Sequence, residues 1–366
     1  MKEDLLARDF RANPLYELVL WDRLEPGERQ ALAGLRGDPG FYGVLRPAGD
    51  RGLGARSVDR DTALLFLTLR EPGPLPAYVR SMLGAEAAVT VARLVADGVL
   101  EVERDGAFVS GPAALETDGG PEGDGRLARL SVEALRYGQA LAAMAVDDAR
   151  LLSWRLYGYN QRPLTPAWKR RWPSPEAVER DLGIASGLDR RWVSSGRAGW
   201  LSWQARNQEP RAAGGPTWKL YVSPVPEALA ESFGEIVEAL ARGRASQFKI
   251  GSDAAGLLRP DKIVAYFPSF ERLSQAAAVV TERLAGVPAQ GVPFTSEISG
   301  DGLLSWGLDP PGAESWRLWL THRLARALLS ARSAAGEPWR LALERVRLEG
   351  VDTATWTPGA RVGRED

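Results

Sequence analysis

The chain has 366 residues, of which 45% are hydrophobic and 25% are charged, as is typical of a globular protein with a large core. At this length we expect two domains, or one domain with a large accessory unit. The 46 basic and 47 acidic side chains nearly cancel, so bulk charge gives no support to a nucleic-acid partner.

Missing residue types exclude several kinds of site. The chain has no cysteine, which excludes disulfides, thiol nucleophiles and cysteine metal sites, and its only histidine is His322. The first residues lack the apolar core of a signal peptide, and no stretch approaches the ~20 apolar residues of a membrane span. We therefore expect a cytoplasmic protein that binds no metal, no membrane and no nucleic acid.

Residues 1–115 are predicted to form a mainly helical accessory unit. Helical patterns cover residues 13–21, 26–35 and 85–96, and residues 101–109 predict a hairpin around an Asp-Gly turn. A helix followed by a tight hairpin is typical of a winged helix, which would bind a peptide or a nucleic acid. The alternative is a small helical domain with one hairpin and no binding role.

Residues 116–126 are predicted to be a linker, because the segment is acidic and glycine-rich and has no large apolar side chain. Residues 127–366 then form the second domain. Within this domain, apolar residues recur at helical spacing in residues 127–144, 147–157, 226–241, 269–284 and 315–331.

Aromatic and basic side chains are concentrated in residues 157–173. Tryptophan and arginine carry much of the binding energy at recognition sites, so this segment would suit a peptide or a phosphate. Alternatively, its tryptophans pack a loop-rich layer against the core, and its arginines lie at the rim. Both alternatives stay open at this point.

Three short predicted strands between residues 218 and 267 carry the candidate site. Apolar or aromatic residues alternate with polar ones in residues 218–223, 247–251 and 259–267, as in strands with one packed face. Lys219 and Tyr221 then lie on one face of their strand, and Leu220 and Val222 on the other. The polar faces would offer lysines, a tyrosine and an arginine to a phosphorylated substrate.

Residues 218–223, Trp-Lys-Leu-Tyr-Val-Ser, resemble the Lys-x-His-Ile/Val-Ser strand of the phosphothreonine lyases that bacteria secrete as type III effectors. Residues 248–250, Phe-Lys-Ile, resemble a second strand of the same enzymes. Residues 259–267, 293–295, 307–310 and 315–323 are more similar to a divergent branch. That branch comprises lyases found beside kinases in the biosynthesis of modified peptides such as thioamitides and some lanthipeptides. The similarity covers about residues 215–350.

The resemblance implies a cofactor-free β-elimination of phosphate from phosphoserine or phosphothreonine. Lys249 would remove the α-proton, and Tyr221 would donate a proton to the departing phosphate. A lysine can act as a base only if its pKa falls towards neutrality, and burial beside other cations lowers that pKa. The phosphate would be held by Lys219 and by arginines, of which the candidates are Arg259, Arg317 and Arg323.

One position departs from the effector pattern. The effectors have histidine where this chain has Tyr221, and a phenol is a weaker acid than an imidazolium. Either Tyr221 donates the proton, or His322 supplies it from a later helix, or the site is inactive; a partly exposed helix histidine often has no chemical role. We also expect three aromatic side chains to contact the substrate, namely Trp218, Tyr266 and Trp306.

The resemblance thus predicts an α+β protein in which a sheet-and-helix domain like that of the effector lyases follows the mainly helical unit. It would be a carbon–oxygen lyase that acts on a precursor peptide phosphorylated by a separate Ser/Thr kinase. Its products would be dehydroalanine or dehydrobutyrine. The alternative is a catalytically inactive scaffold that binds the precursor peptide, the kinase or both.

Overall fold

The computed structural model describes residues 5–38, 40–48, 54–115, 123–144, 146, 148–184, 188, 191–196, 199–206, 217–310, 314–332, 337–359 and 362. The predicted α+β class is confirmed, because the chain combines helices with antiparallel sheets. In this part of the chain, no helix has both the length and the apolar character needed to cross a bilayer. Most of the predicted linker, residues 116–122, lies outside the described residues.

The secondary-structure elements are mostly short. The strands are β1 (Asp9–Ala12), β2 (Tyr16–Leu20), β3 (Phe41–Pro47), β4 (Arg56–Asp59), β5 (Gly73–Pro74), β6 (Leu100–Arg104), β7 (Ala107–Val109), β8 (Trp192–Ser194), β9 (Trp200–Ala205), β10 (Thr217–Val222), β11 (Gln247–Gly251), β12 (Ile263–Phe267), β13 (Ser296–Glu297), β14 (Leu304–Asp309), β15 (Val351–Asp352) and β16 (Thr357–Pro358). The helices are α1 (Pro26–Ala31), α2 (Arg60–Thr68), α3 (Ala77–Leu83), α4 (Ala87–Ala96), α5 (Arg126–Ala143), α6 (Ala149–Tyr157), α7 (Pro166–Arg171), α8 (Pro175–Asp181), α9 (Leu229–Arg242), α10 (Ala254–Leu257), α11 (Phe270–Arg283), α12 (Trp316–Ser330) and α13 (Pro338–Leu348).

The chain divides into two compact units. Unit 1 consists of Met1–Pro121 and Arg326–Leu348, and unit 2 of Glu122–Ala325 and Glu349–Asp366. The segment Arg326–Leu348, which the sequence analysis assigned to the second domain, therefore belongs to the first unit. Its apolar side chains Ala331, Leu341 and Leu348 are buried in the same core cluster as those of α4.

Unit 1 has more helical than strand residues, as predicted, but it also contains two antiparallel sheets, of which the sequence predicted only the hairpin. One sheet has the strand order β5-β1-β6-β7 and the other the order β2-β3-β4. β2 lies in a segment that the sequence pattern assigned to a helix. Tyr16 packs on one side of it against Leu45, and Val19 packs on the other side against Val44. Because both faces of β2 are covered, its sequence lacks the clean alternation that identifies a strand.

The hairpin predicted in unit 1 is confirmed. β6 and β7 pair so that Arg104 faces Ala107, with Asp105 and Gly106 as the turn. These two turn residues have φ values of 52° and 82°. Left-handed backbone at both central positions is what a two-residue type I′ turn requires, and Asp-Gly favours it. A binding role for this hairpin stays a prediction.

Unit 2 is built on a seven-stranded sheet with the order β13-β14-β10-β12-β11-β9-β8. Helices α9 and α11 cover one face of it, and their apolar side chains share a core with alternate residues of the central strands. This core contains Phe233 and Leu273 from the helices, and Leu220, Phe248 and Ala265 from the strands. The opposite face of the central strands presents Lys219 and Tyr221.

Candidate active site

The predicted catalytic lysines, Lys219 and Lys249, lie on the same face of the sheet. Tyr221 on β10 pairs with Val264 on β12, and Val264 pairs with Lys249 on β11. Directly opposite side chains of antiparallel neighbours share a face, so Tyr221 and Lys249 do so as well. Lys219 shares this face because it lies two residues before Tyr221.

Aromatic rings surround the ammonium group of Lys249. Its Nζ lies 4.0 Å from the ring centroid of Trp200 and 5.9 Å from that of Tyr266. Ring faces attract a cation and exclude water from one side of it. The guanidinium of Arg259 lies 5.3 Å from the Trp200 centroid, so two cations approach the same indole ring.

Lys219 is held by an ion pair with β14. Its Nζ lies 2.6 Å from Oδ2 of Asp309, and only 10% of the Lys219 side chain is exposed. The same ammonium group lies 5.5 Å from the ring centroid of Tyr266. Tyr266 is therefore close to both lysines, on the face where the sequence analysis placed a substrate.

A second charged group forms around Asp261, just before β12. Arg259 donates from Nε and Nη2 to the two carboxylate oxygens of Asp261, each at 2.9 Å. Arg317 Nη1 lies 2.8 Å from Oδ2 of Asp261, and the Tyr157 hydroxyl donates to that oxygen at 2.9 Å. One carboxylate thus fixes two guanidinium groups and a phenol.

The two arginines at Asp261 differ in exposure. Arg317 is almost completely buried and also donates to the main-chain oxygens of Tyr157 and Pro293. Arg259 keeps 29% of its side chain exposed. Of the two, Arg259 is therefore the one with surface open to an anion, whereas Arg317 is buried and donates from Nε and Nη2 to main-chain oxygens.

Burial and charge set the protonation of this cluster. Burial alone would raise the pKa of Asp261, but Arg317 and then Arg259 outweigh it and hold that pKa well below its usual range. Burial, followed by the charge of Asp261, raises the pKa of Tyr157 to about 12. At neutral pH the carboxylate is therefore ionised and the phenol is protonated.

Tyr221 is buried, with 3% of its surface exposed, and it stays protonated. Burial is the main reason that its pKa is raised well above the ordinary value, and the charge of Asp309 adds to the shift. Tyr157 and Asp261 raise this pKa further, whereas the positive charge of Arg317 lowers it. Within the described chain, no residue hydrogen-bonds this hydroxyl.

Trp218 and Trp306 are not brought to the lysines, contrary to the expectation that they contact the substrate there. Trp306 pairs with Leu220, which is a core residue of β10, and Trp218 precedes Leu220 by two residues. Both indoles pack against Phe270 on the helix-covered face, with ring centroids 5.2 and 4.8 Å from it. The alternation of β10 explains this placement, since residues 218 and 219 must point to opposite faces.

His322 and Arg323 also make separate contacts. His322 Nδ1 lies 2.9 Å from Glu314, and Arg323 lies 2.6 Å from Glu349 with its guanidinium over Trp319. Both residues follow Arg317 on α12 but are rotated from it by roughly 140° and 240° around the helix axis. The structure therefore does not direct them to the Asp261 cluster as it directs Arg317.

Sequence reasoning missed the buried lysine Lys262. Its Nζ donates to the main-chain oxygen of Pro224 at 2.8 Å and to Oε1 of Gln290 at 2.6 Å. Burial lowers its pKa to about 7, although Asp261 opposes the shift. These two hydrogen bonds connect the residue before β12 to Pro224 and Gln290. The donor is an amine with a pKa near neutral pH.

A compositional signal would have pointed to these lysines. The sequence has five lysines beside 41 arginines, and three of the five are Lys219, Lys249 and Lys262. A guanidinium cannot lose its proton in a protein, whereas a buried amine can. In a chain that otherwise uses arginine for positive charge, lysine at these positions indicates a need for a compact or neutral amine.

The assembled site suits an anion. It contains four basic side chains and two carboxylates. The basic residues are Lys219, Lys249, Arg259 and Arg317, and the acidic residues are Asp261 and Asp309. Fixed guanidinium and ammonium groups are the usual partners of phosphate. In the described chain, no cluster of three or more acidic or histidine side chains is arranged to hold a metal ion.

Comparison with known proteins gives distant likenesses. No family model and no curated protein matches the chain. An effector from Pseudomonas syringae pv. tomato strain DC3000 is 12% identical over 63% of this chain and 97% of its own, with a TM-score of 0.38. A phosphothreonine lyase solved for its catalytic mechanism is 10% identical over 58% and 97%, with a TM-score of 0.29. The phosphothreonine lyase effector of Chromobacterium violaceum is 12% identical over 48% and 86%, with a TM-score of 0.27.

Proposed function

We propose that this chain is a cytoplasmic lyase that removes phosphate by β-elimination from phosphoserine or phosphothreonine in a kinase-phosphorylated precursor peptide. The products are dehydroalanine or dehydrobutyrine and inorganic phosphate. One observation carries the proposal: Lys219, Tyr221 and Lys249 share one face of the sheet, with Arg259 against the same indole ring as Lys249.

The base is Lys249 in its neutral form. Its amine takes the α-proton, the C–H electron pair becomes the Cα=Cβ double bond, and the Cβ–O bond breaks with its electrons on the phosphate. Lysine can take this role because its amine can lose a proton, which a guanidinium cannot. The contact with Trp200 fixes the position of the amine.

Phosphate is held by Arg259 and Lys219 in this proposal. Arg259 is oriented by its bidentate pair with Asp261 and keeps part of its side chain exposed. Lys219 would exchange part of its ion pair with Asp309 for the phosphate oxygens. Arg317 acts through Asp261 as a positioning residue, since it is buried and forms an ion pair with that carboxylate.

Tyr221 supplies the proton to the departing phosphate. Elimination from a phosphate ester dianion would leave a phosphate trianion, so the Tyr221 proton moves to the oxygen that leaves Cβ, giving hydrogen phosphate and a phenolate that is reprotonated before the next turnover. The raised pKa of Tyr221 keeps the hydroxyl protonated until that charge develops. The hydroxyl has no hydrogen-bond partner among the described residues, so a phosphate that reaches it does not have to displace a protein acceptor.

A catalytically inactive scaffold is the second candidate, and Asp309 is the observation that favours it. Its carboxylate lies 2.6 Å from Lys219, where a phosphate oxygen would otherwise bind. Such a scaffold would bind precursor peptide or kinase without chemistry. The wild-type chain would then bind a phosphopeptide and release no phosphate from it.

Phosphate release from a synthetic phosphothreonine peptide tests the proposal. We expect Lys249→Ala to lower kcat by about 10³-fold or more, because the base is lost. The matched control is Lys169→Ala, since Lys169 is an exposed lysine on α7. Equal loss in both variants, or unchanged release by Lys249→Ala, would contradict the assignment.

A further inference from the structure

A groove of about 570 Å³ lies in unit 1 and takes no part in the proposed reaction. Residues 54–59, which include β4, form one of its walls. The C-terminal end of α4 with Val99 forms another wall, to which Leu329 and Ser330 also contribute. The volume is in the range of a groove that binds a peptide segment or a small molecule.

The wall formed by β4 is the edge of a sheet. In the order β2-β3-β4, only β3 pairs with β4. Within the described chain, no main-chain group of Arg56, Ser57 or Val58 hydrogen-bonds any segment other than β3. Such an edge presents a row of donors and acceptors that an extended backbone can complete.

The groove also continues the apolar layers on the two faces of this sheet. On one face, Val58 and Val99 belong to one cluster, against which Leu94 packs. On the other face, Leu35 and Phe41 pack against Val44. Side chains of a strand alternate between faces, so a strand added at β4 would place successive side chains in the two layers.

Charge restricts what the groove accepts. Asp38, Asp59 and Asp97 line it, with Arg56 as the only basic residue among the lining residues of the described chain. Asp97 is paired with Arg345, and Asp59 caps the N-terminus of α2. With Arg345 counted beside Arg56, three carboxylates stand against two guanidinium groups, and this net negative charge favours a neutral or basic segment over an acidic one.

We propose that this groove binds an extended peptide segment as an additional strand on β4, with apolar side chains at alternate positions and a neutral or basic charge. The occupant is a part of the substrate peptide that lies outside its phosphorylated residue. This identity of the occupant rests on the proposed function, whereas the binding mode rests on the groove alone. Docking at β4 would select the peptide. The lysine face, which is the sheet face that carries Lys219, Tyr221 and Lys249, would catalyse the elimination.

The probe is a set of unphosphorylated peptides selected from a random phage-displayed library on the immobilised full-length chain and then synthesised. Hydrogen exchange followed by mass spectrometry should show segment 54–59 protected when a selected peptide is bound. Leu94→Arg, in the groove wall, should weaken binding at least tenfold. Leu64→Arg is the matched control because Leu64 is exposed on α2 and lies outside the groove.

Peptide binding that leaves segment 54–59 unprotected would overturn the proposal, as would a library from which no peptide is selected. Protection that rises with protein concentration in the absence of peptide would instead assign the edge to a second copy of the chain. The exchange measurement uses the wild-type protein, so the test survives if Leu94→Arg fails to fold.

A second arm separates this proposal from the proposed function. A selected peptide joined to a phosphothreonine acceptor should lower KM for phosphate release relative to the acceptor alone, and Leu94→Arg should cancel the gain. If neither substrate releases phosphate while segment 54–59 is still protected, the lyase proposal fails and the docking site stands. If phosphate is released with no gain from the joined peptide, the groove is not a substrate site.

Discussion

Tyr221 occupies the position where the effector pattern has histidine, and its surroundings fit a different way of supplying a proton. An imidazolium would be a stronger acid, but a buried phenol stays protonated over the whole neutral range. Tyr221 shares the sheet face of Lys219 and Lys249, and its hydroxyl has no hydrogen-bond partner in the described chain. It can therefore respond to the charge that develops on a leaving phosphate.

Tyr221→Phe tests this role. We expect kcat for phosphate release to fall about 10²-fold, because the proton donor is lost. The free energy of unfolding should stay the same or rise slightly, since the removed hydroxyl hydrogen-bonds no described residue. Steady-state kinetics and urea unfolding measure the two effects. Tyr137→Phe, at an exposed tyrosine, is the control and should change neither quantity.

Lys262 gives a stability prediction with a defined sign. Its pKa is about 7 in the folded chain and 10.5 as the ordinary value, so between these pH values the unfolded state binds more protons. The contribution of Lys262 to stability is therefore least favourable below pH 7 and improves as the pH rises towards 10. Lys262→Met should abolish this dependence.

Urea unfolding at several pH values measures the contribution of Lys262 to the free energy of unfolding. From pH 7 to pH 10 the free energy of unfolding of the wild type should gain up to about 4 kcal/mol relative to Lys262→Met. The same comparison with Lys169→Met, an exposed lysine, should stay flat. A flat difference for Lys262→Met would show that its amine is not neutral in the folded chain at these pH values.

At the residue scale, the sequence predicts what depends on neighbours along one strand. The shared direction of Lys219 and Tyr221 follows from alternation alone, and the same rule excludes Trp218 from their face. The grouping of Tyr157, Asp261 and Arg317 does not follow in this way. About a hundred residues separate Tyr157 from Asp261, and only the tertiary fold brings them within hydrogen-bond distance.

At the scale of elements, the approach of α12 to β14 positions the charged cluster. Gly307 lies opposite Lys219, and a Cβ atom at this glycine would be 2.5 Å from Cδ1 of Trp316, the first residue of α12. Trp316 is fully buried and donates its Nε1–H to the main-chain oxygen of Phe294. Glycine at position 307 therefore allows the helix that carries Arg317 to start against the sheet.

Gly307→Ala should separate these two elements. We expect the free energy of unfolding to fall by about 2 kcal/mol, because the added methyl overpacks a buried contact. Gly234→Ala on α9 is the matched control, since nothing lies within 4 Å of its added Cβ, and it should gain up to about 1 kcal/mol from helix propensity. Urea unfolding of both variants checks the prediction, and equal effects would contradict it.

Element type could be predicted where one periodicity dominates. The helix expected in residues 269–284 is Phe270–Arg283, and the one expected in residues 127–144 is Arg126–Ala143, since each has one apolar side. The pattern failed for β2, whose two faces are both covered. The Asp-Gly hairpin was predictable because its turn geometry is local.

At the scale of the whole molecule, the chain returns to its first unit after building most of the second. Ala331, Leu341 and Leu348 are core residues of unit 1, although they follow the unit 2 sheet in sequence. The sequence analysis predicted no helix in residues 338–348, and helical periodicity alone does not say which core a helix completes. The domain boundary predicted from composition therefore lacked this segment.

Truncation tests whether unit 1 needs the segment Arg326–Leu348 for its stability. A fragment of residues 1–121 should be much less stable than unit 1 in the full chain, because burying each of Leu341 and Leu348 in its core is worth about 2 kcal/mol. Adding a peptide of residues 326–348 should restore protection of α4 in hydrogen exchange. A fragment of residues 1–121 that is as protected as the full chain would show that the segment is dispensable.

The central claim is elimination at the lysine face, and the mass of the peptide product tests it most directly. A phosphothreonine peptide is incubated with the wild-type chain, and the product is compared with the same peptide made with unmodified threonine. Elimination predicts a product lighter than the threonine peptide by one water, formed by the wild type and by Lys169→Ala but not by Lys249→Ala. A product equal in mass to the threonine peptide would mean hydrolysis, and an unchanged phosphopeptide would mean no reaction; either result would contradict the account.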